Sequence, residues 1–90
     1  MFRYQKSIPL SYERQGYIFF TSRMYAELPE RRRQKIRKMC AEHGGEYADA
    51  LLEFMTTDQG ETKVCARHNL SPSTLRRAKR RYYEGFPSTL

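Results

Sequence analysis

Residues 58–84, DQGETKVCARHNLSPSTLRRAKRRYYE, constrain the fold of this chain more tightly than any other stretch. They read as two helices joined by a turn too short to allow much freedom. Asp58 followed three residues later by Glu61 has the spacing of a capping box, in which each side chain satisfies the other residue's backbone N–H. The helix so begun, QGETKVCARH, carries Val64, Cys65 and His68 on one face. Asn69 stands where that helix must stop, and Asn tolerates the left-handed conformation that reverses a chain. Leu70 is an apolar plug in the turn. Ser71 and Pro72 then open a second helix, the Ser hydroxyl capping the first amides and Pro being pre-set for the first helical position. Leu75, Ala78 and Tyr82 form its inner stripe, while Arg76, Arg77, Lys79, Arg80 and Arg81 crowd the remaining surface.

The pattern resembles the helix-turn-helix of bacterial DNA-binding proteins. That motif places a small residue on the first helix, then a left-handed turn residue, an apolar plug, a capping Ser and an apolar anchor on the second helix. Cys65, Asn69, Leu70, Ser71 and Leu75 match those roles in order and spacing. Asn stands where Gly is commoner in the turn, and His68 stands where Leu is usual. The run Ser73 to Arg77, STLRR, is similar to recognition helices of the resolvase/invertase, transposase and homeodomain-like kind. The resemblance covers about a third of the chain. It implies a second helix that reads bases in the major groove through Ser71, Ser73, Arg76, Arg77 and Arg80. Arg in particular can pair with guanine through two hydrogen bonds. Thr74, Lys63 and Arg67 are expected at phosphates, joined by Arg32 and Arg33 from the earlier basic helix.

Charge distribution agrees with a polyanionic partner. The net charge of +7 is divided as +2 over residues 1–28, +4 over 29–45, −4 over 46–60 and +5 over 61–90. Basic faces therefore flank one acidic segment, with the highest charge on the candidate recognition helix. No apolar run approaches the roughly 20 residues of a membrane span, and residues 1–10 lack a signal-peptide core. A cytoplasmic protein without a membrane partner is expected.

Ninety residues suit one domain with a modest core. Residues 1–20 hold half of the chain's twelve aromatics, and Pro9 and Gly16 argue against a long helix there. Tyr17 to Thr21 is rich in strand formers. This segment is expected to wrap the helices; the competing reading is a flexible arm whose Arg3 and Lys6 enter a DNA groove. Residues 21–56 supply supporting helices. Thr21 or Ser22 is expected to cap a short one ending at Leu28. Pro29 opens a longer one with Ile36, Met39, Cys40 and His43 on its apolar face, stopped by Gly44-Gly45. Next, EYADALLEFMTT sets Tyr47, Leu51, Phe54 and Met55 on one stripe and is the expected centre of the core. After Glu84, Gly85 and Pro87 end the last helix, with Phe86 folding back on Tyr82 or Tyr83.

Signs of catalysis are scarce. Glu46, Asp49 and Glu53 share a helical face, but acids in a first helical turn are favoured by the dipole alone. No Gly-rich phosphate loop or nucleophile elbow occurs. The only cysteines and histidines fall in two C-x-x-H pairs, Cys40 with His43 and Cys65 with His68, a legitimate tetrahedral zinc set. The preferred reading makes each Cys a small buried residue and each His a helix end, His68 bonding a backbone carbonyl, with no metal or other cofactor.

The expectation is thus an all-α domain of four or five short helices. It carries a C-terminal helix-turn-helix and an irregular or partly extended N-terminus. Its expected role is that of a non-enzymatic double-stranded-DNA-binding protein, a transcriptional regulator or an accessory protein of a phage or mobile element, acting alone, as a homodimer or with a protein partner. The competing functions are a protein-interaction module anchored by exposed Tyr82 and Tyr83, and an RNA-binding protein, since clustered Arg with Tyr suits stacking and phosphate contacts.

Overall fold

A computed structural model describes residues 2–90. The described residues are all-helical, with no strand. Five α-helices follow in order: α1 (Tyr12–Arg23), α2 (Glu30–Gly44), α3 (Ala48–Thr56), α4 (Glu61–His68) and α5 (Pro72–Gly85). Single 3₁₀ turns, Tyr25–Glu27 and Gly45–Tyr47, lead into α2 and α3. None of these helices is long and apolar enough to cross a membrane.

The N-terminal quarter departs most from expectation. Residues 2–11 are irregular, but Tyr12 onward is a regular helix that runs through Gly16 and the strand-forming Tyr17–Thr21. Ser11 caps it, its Oγ accepting the Arg14 N–H at 3.1 Å, and Glu13 favours the first turn. Its buried positions, Gln15, Ile18 and Ser22, have helical spacing, but two of the three are polar. Intrinsic β preference is thus overridden by packing. Ser22 lies inside α1 rather than capping a helix of its own, and only one 3₁₀ turn forms between Met24 and Leu28.

The irregular residues 2–11 wrap the core. Ile8 is buried, and the carboxamide of Gln15, itself wholly buried, holds the segment by both ends of its dipole. Gln15 Oε1 accepts the Gln5 N–H at 2.8 Å, while Nε2 donates to the carbonyls of Gln5, Ile8 and Leu10 at 3.0–3.2 Å. One side chain thus engages four backbone groups of an irregular segment, two of which, the Gln5 and Ile8 carbonyls, also accept a backbone N–H within it.

Helix α2 starts after Pro29 and stops at Gly45, whose combination of φ +55° with ψ −124° favours glycine. It buries Ile36, Met39 and Cys40 of the expected stripe, while His43, its fourth member, is only half-buried. Helix α3 is central: Leu51 and Met55 belong to the main core with α2, Ile18 and Tyr82, whereas Ala50 belongs to a smaller cluster with Val64, Cys65 and Leu75. Phe54 packs against both. The α4–α5 pair therefore rests on α3 through the smaller cluster, and α5 continues into the main core through Ala78, Tyr82 and Tyr83. Past α5, Phe86 packs against Tyr82 in a tilted arrangement with ring centroids 5.6 Å apart. Arg14 ties the tail to α1 by donating to the carbonyls of Phe86 and Pro87 at 2.9 and 2.6 Å.

Candidate nucleic-acid interface

Helix α4 begins two residues later than a capping box requires. Its N-cap is Gly60, with no side-chain cap, so Glu61 is the first helical residue rather than the third and cannot reach back to Asp58. Glu61 turns toward α5 instead. The end of α4 is as expected: Asn69 is left-handed (φ 55°, ψ 54°), and the Leu70 N–H closes on the Cys65 carbonyl at 3.1 Å. Leu70 packs half-buried on the smaller cluster. Ser71 caps α5, its Oγ accepting the Thr74 N–H at 3.2 Å, and Pro72 occupies the first turn.

The register of α5 sorts the candidate residues. Leu75, Ala78 and Tyr82 face inward, with Leu75 and Tyr82 wholly buried. Ser73, Arg76, Arg77 and Arg80 are exposed along the opposite face. Ser71 and Thr74 are partly committed, their hydroxyl oxygens 2.9 Å apart at the cap. Arg76 is held by Glu61 through two parallel bonds, Nε to Oε2 and Nη2 to Oε1, each 2.8 Å. Arg80 pairs with Glu84 one turn on at 3.1 Å. Arg77 has no ion-pair partner among the described residues, and neither does Lys63 on α4. Arg67 pairs with Glu53 of α3.

Arg32 and Arg33 do not join this group. Thr74, Arg77 and Arg81 of α5 border His43 at the C-terminal end of α2, whereas Arg32 and Arg33 lie in its first turn, roughly 16 Å away along the axis at 1.5 Å per residue. Arg33 is bonded to Glu30 and to the Leu28 carbonyl, and Arg32 borders Tyr17 and Leu90.

Three side chains at or beside α5 escape a sequence reading. Gln5 and Ser7 of the wrapping segment line a groove with Arg76, Arg77, Lys79 and Arg80. Lys79 is half-buried, its ammonium 5.7 Å from the centre of the Phe54 ring. Its position four residues after Leu75 was the available signal, since that spacing puts it at the inward edge of the helix.

The C-x-x-H pairs do not converge. Cys40 sits in the main core and Cys65 in the smaller cluster. Burial pushes the Cys40 thiol up to about 12 and raises that of Cys65. The His43 ring fills the space beside Gly85, where a Cβ would come within 2.5 Å of Nε2. His68 Nε2 meets Glu53 Oε1 at 2.7 Å, a carboxylate partner in place of the expected backbone carbonyl. No group of three or more His, Cys, Asp or Glu among the described residues is arranged to hold a metal. Of the acidic trio, Glu46 lies in the 3₁₀ turn before α3, and Glu53 is engaged by His68 and Arg67. Tyr82 and Tyr83 are buried and cannot serve as exposed anchors.

Comparison with protein-family models, with curated proteins and with solved structures gave no match to this chain.

Proposed function

We propose that this chain is a non-enzymatic, cytoplasmic double-stranded-DNA-binding protein that presents α5 to the major groove. The observation that carries the reading is the outer face of α5, where Ser73, Arg76, Arg77 and Arg80 are exposed together. A major groove about 12 Å wide accepts one helix, and Arg on its outer face can meet guanine O6 and N7. The pair Arg80–Glu84 is solvent-exposed and exchanges readily for phosphate or base contacts, whereas Arg76 reaches DNA by giving up its two-bond pair with Glu61. Lys63 and Arg67 of α4 and Thr74 in the first turn of α5 are assigned to phosphates. Arg32 and Arg33, at the far end of α2, are less suited to the same duplex. The resemblance of residues 58–84 to helix-turn-helix proteins adds the expectation of a compact transcriptional regulator or an accessory factor of a phage or mobile element.

The reading is tested by fluorescence anisotropy with a random duplex, a single strand and a structured RNA of equal length. Preference for the duplex supports it. Preference for RNA would favour the competing nucleic-acid reading, and no affinity for any of the three at low salt would remove both. A protein-interaction role would then fall to the exposed aromatic side of α1, where Tyr12 and Phe20 are more than half exposed.

A further inference from the structure

Beside the proposed duplex face, and independent of it, lies a cavity of about 170 Å³ bounded by three cations and three aromatic rings. Arg3 comes from the wrapping segment, Arg23 from the end of α1 and Lys79 from the middle of α5, with Phe19, Phe54 and Tyr83 as walls. None of the residues lining it is acidic. None of the three cations has an ion-pair partner among the described residues. The carboxylate that acts on Lys79 is that of Glu61, and it is already engaged by both bonds to Arg76. The positive groups lean on ring faces instead: the Arg23 guanidinium is 4.5 Å from the centre of Phe19, and the Lys79 ammonium is 5.7 Å from that of Phe54.

The three cations come from three separate elements into one lining that holds no acidic residue, and the half-buried Lys79 ammonium has given up part of its hydration. Burial accordingly lowers the Lys79 pKa. An anion in the cavity would neutralise the cluster and supply the missing hydrogen-bond acceptors. The walls add a second requirement. The volume is close to the roughly 150 Å³ that accepts one benzene ring in an apolar protein cavity, and the aromatic walls suit a flat apolar body.

We propose that this cavity binds a small aromatic anion: a single ring carrying a carboxylate or phosphate, with the ring among Phe19, Phe54 and Tyr83 and the charge at Arg3, Arg23 and Lys79. Because Arg3 belongs to the wrapping segment, such a ligand would also fasten that segment to α5.

The test is titration of the ¹⁵N-labelled full chain with benzoate and with phenyl phosphate, followed by amide shifts and calorimetry. Saturable shifts at Arg23, Lys79 and Tyr83 are expected. Benzyl alcohol, which keeps the ring without the charge, and inorganic phosphate, which keeps the charge without the ring, should each bind about tenfold more weakly or worse. Lys79→Met, which preserves the stem packed near Phe54, and Arg23→Gln, altered at a partly exposed head group, should each weaken benzoate about tenfold. No saturable shift would overturn the proposal. So would inorganic phosphate or benzyl alcohol binding as well as the aromatic anions, or unchanged affinity in both variants. Displacement of bound benzoate by a duplex would make the cavity a seat for a backbone phosphate and overturn the small-ligand assignment.

Discussion

The Tyr82 hydroxyl lies 2.8 Å from the Ser22 hydroxyl, joining α5 to α1 inside the main core. Both side chains are wholly buried. Ser22 uses its proton on the Ile18 carbonyl at 2.7 Å, so the phenol must be the donor between the two hydroxyls. The two halves of the chain are thereby locked in one orientation by a directional bond that apolar packing alone would not supply.

Ser22→Ala is therefore expected to cost more than Tyr82→Phe. The first leaves a buried phenol hydroxyl without an acceptor, a loss of about 1–3 kcal/mol, whereas the second removes donor and demand together and costs about 1 kcal/mol. The double variant should cost less than the two singles combined. Urea denaturation of the four proteins measures all three quantities; a double variant whose cost equals the sum of the two singles would mean that the hydroxyls are not coupled.

Leu75 and Arg77 sit on opposite sides of α5, one wholly buried and the other exposed. Leu75→Ala should destabilise the fold by about 2–5 kcal/mol through loss of its place in the smaller cluster. Arg77→Ala should leave the melting temperature nearly unchanged and weaken specific duplex binding by roughly 1–3 kcal/mol. Thermal melts paired with anisotropy titrations separate the two effects, and the reverse pattern would place the wrong face of the helix toward DNA.

Glu53 links α3 to α4. Its carboxyl is held below the ordinary range by the hydrogen bond from His68 and then by the charge of Arg67. A folded-state pKa below the unfolded value means that the stabilisation is fully present above the ordinary value of 4.5 and is lost as pH falls through the lowered folded value. The melting temperature should thus fall below about pH 4.5, and Glu53→Gln should flatten that acid limb. An unchanged acid limb in the variant would show that Glu53 carries none of it.

Legibility along the sequence follows the chemistry of the buried positions. Helices α2, α3 and α5 bury apolar residues at three- and four-residue spacing, so Ile36, Met39, Leu51, Met55, Leu75 and Ala78 were readable as inward-facing, whereas the burial of Tyr83 was not. The Asn69–Leu70–Ser71–Pro72 turn was equally plain, because each residue has a distinct backbone preference. Helix α1 was not, since Gln15 and Ser22 occupy core positions where periodicity looks for apolar residues, and its aromatics lie largely on the outer side. What fixes that helix is tertiary: Gln15 bonded to the wrapping segment, and Ser22 bonded to a residue sixty positions away. Glu61 misled for the opposite reason, its spacing from Asp58 fitting a local cap while Arg76 offered two charged bonds across the turn. The outer residues of α5 were legible as exposed, but Lys79 and Arg3 share a cavity only because the N-terminal segment crosses α5.

The proposal that α5 meets a duplex is tested most directly by the salt dependence of binding. Anisotropy titrations of the full chain with a duplex over a range of salt concentrations yield the slope of log K against log salt. With six or so phosphates neutralised, a slope of about −5 is expected, and Arg77→Gln together with Lys63→Gln should make it shallower by about one to two. A slope near zero, or one that the double variant leaves unchanged, would contradict the docking of this face on DNA.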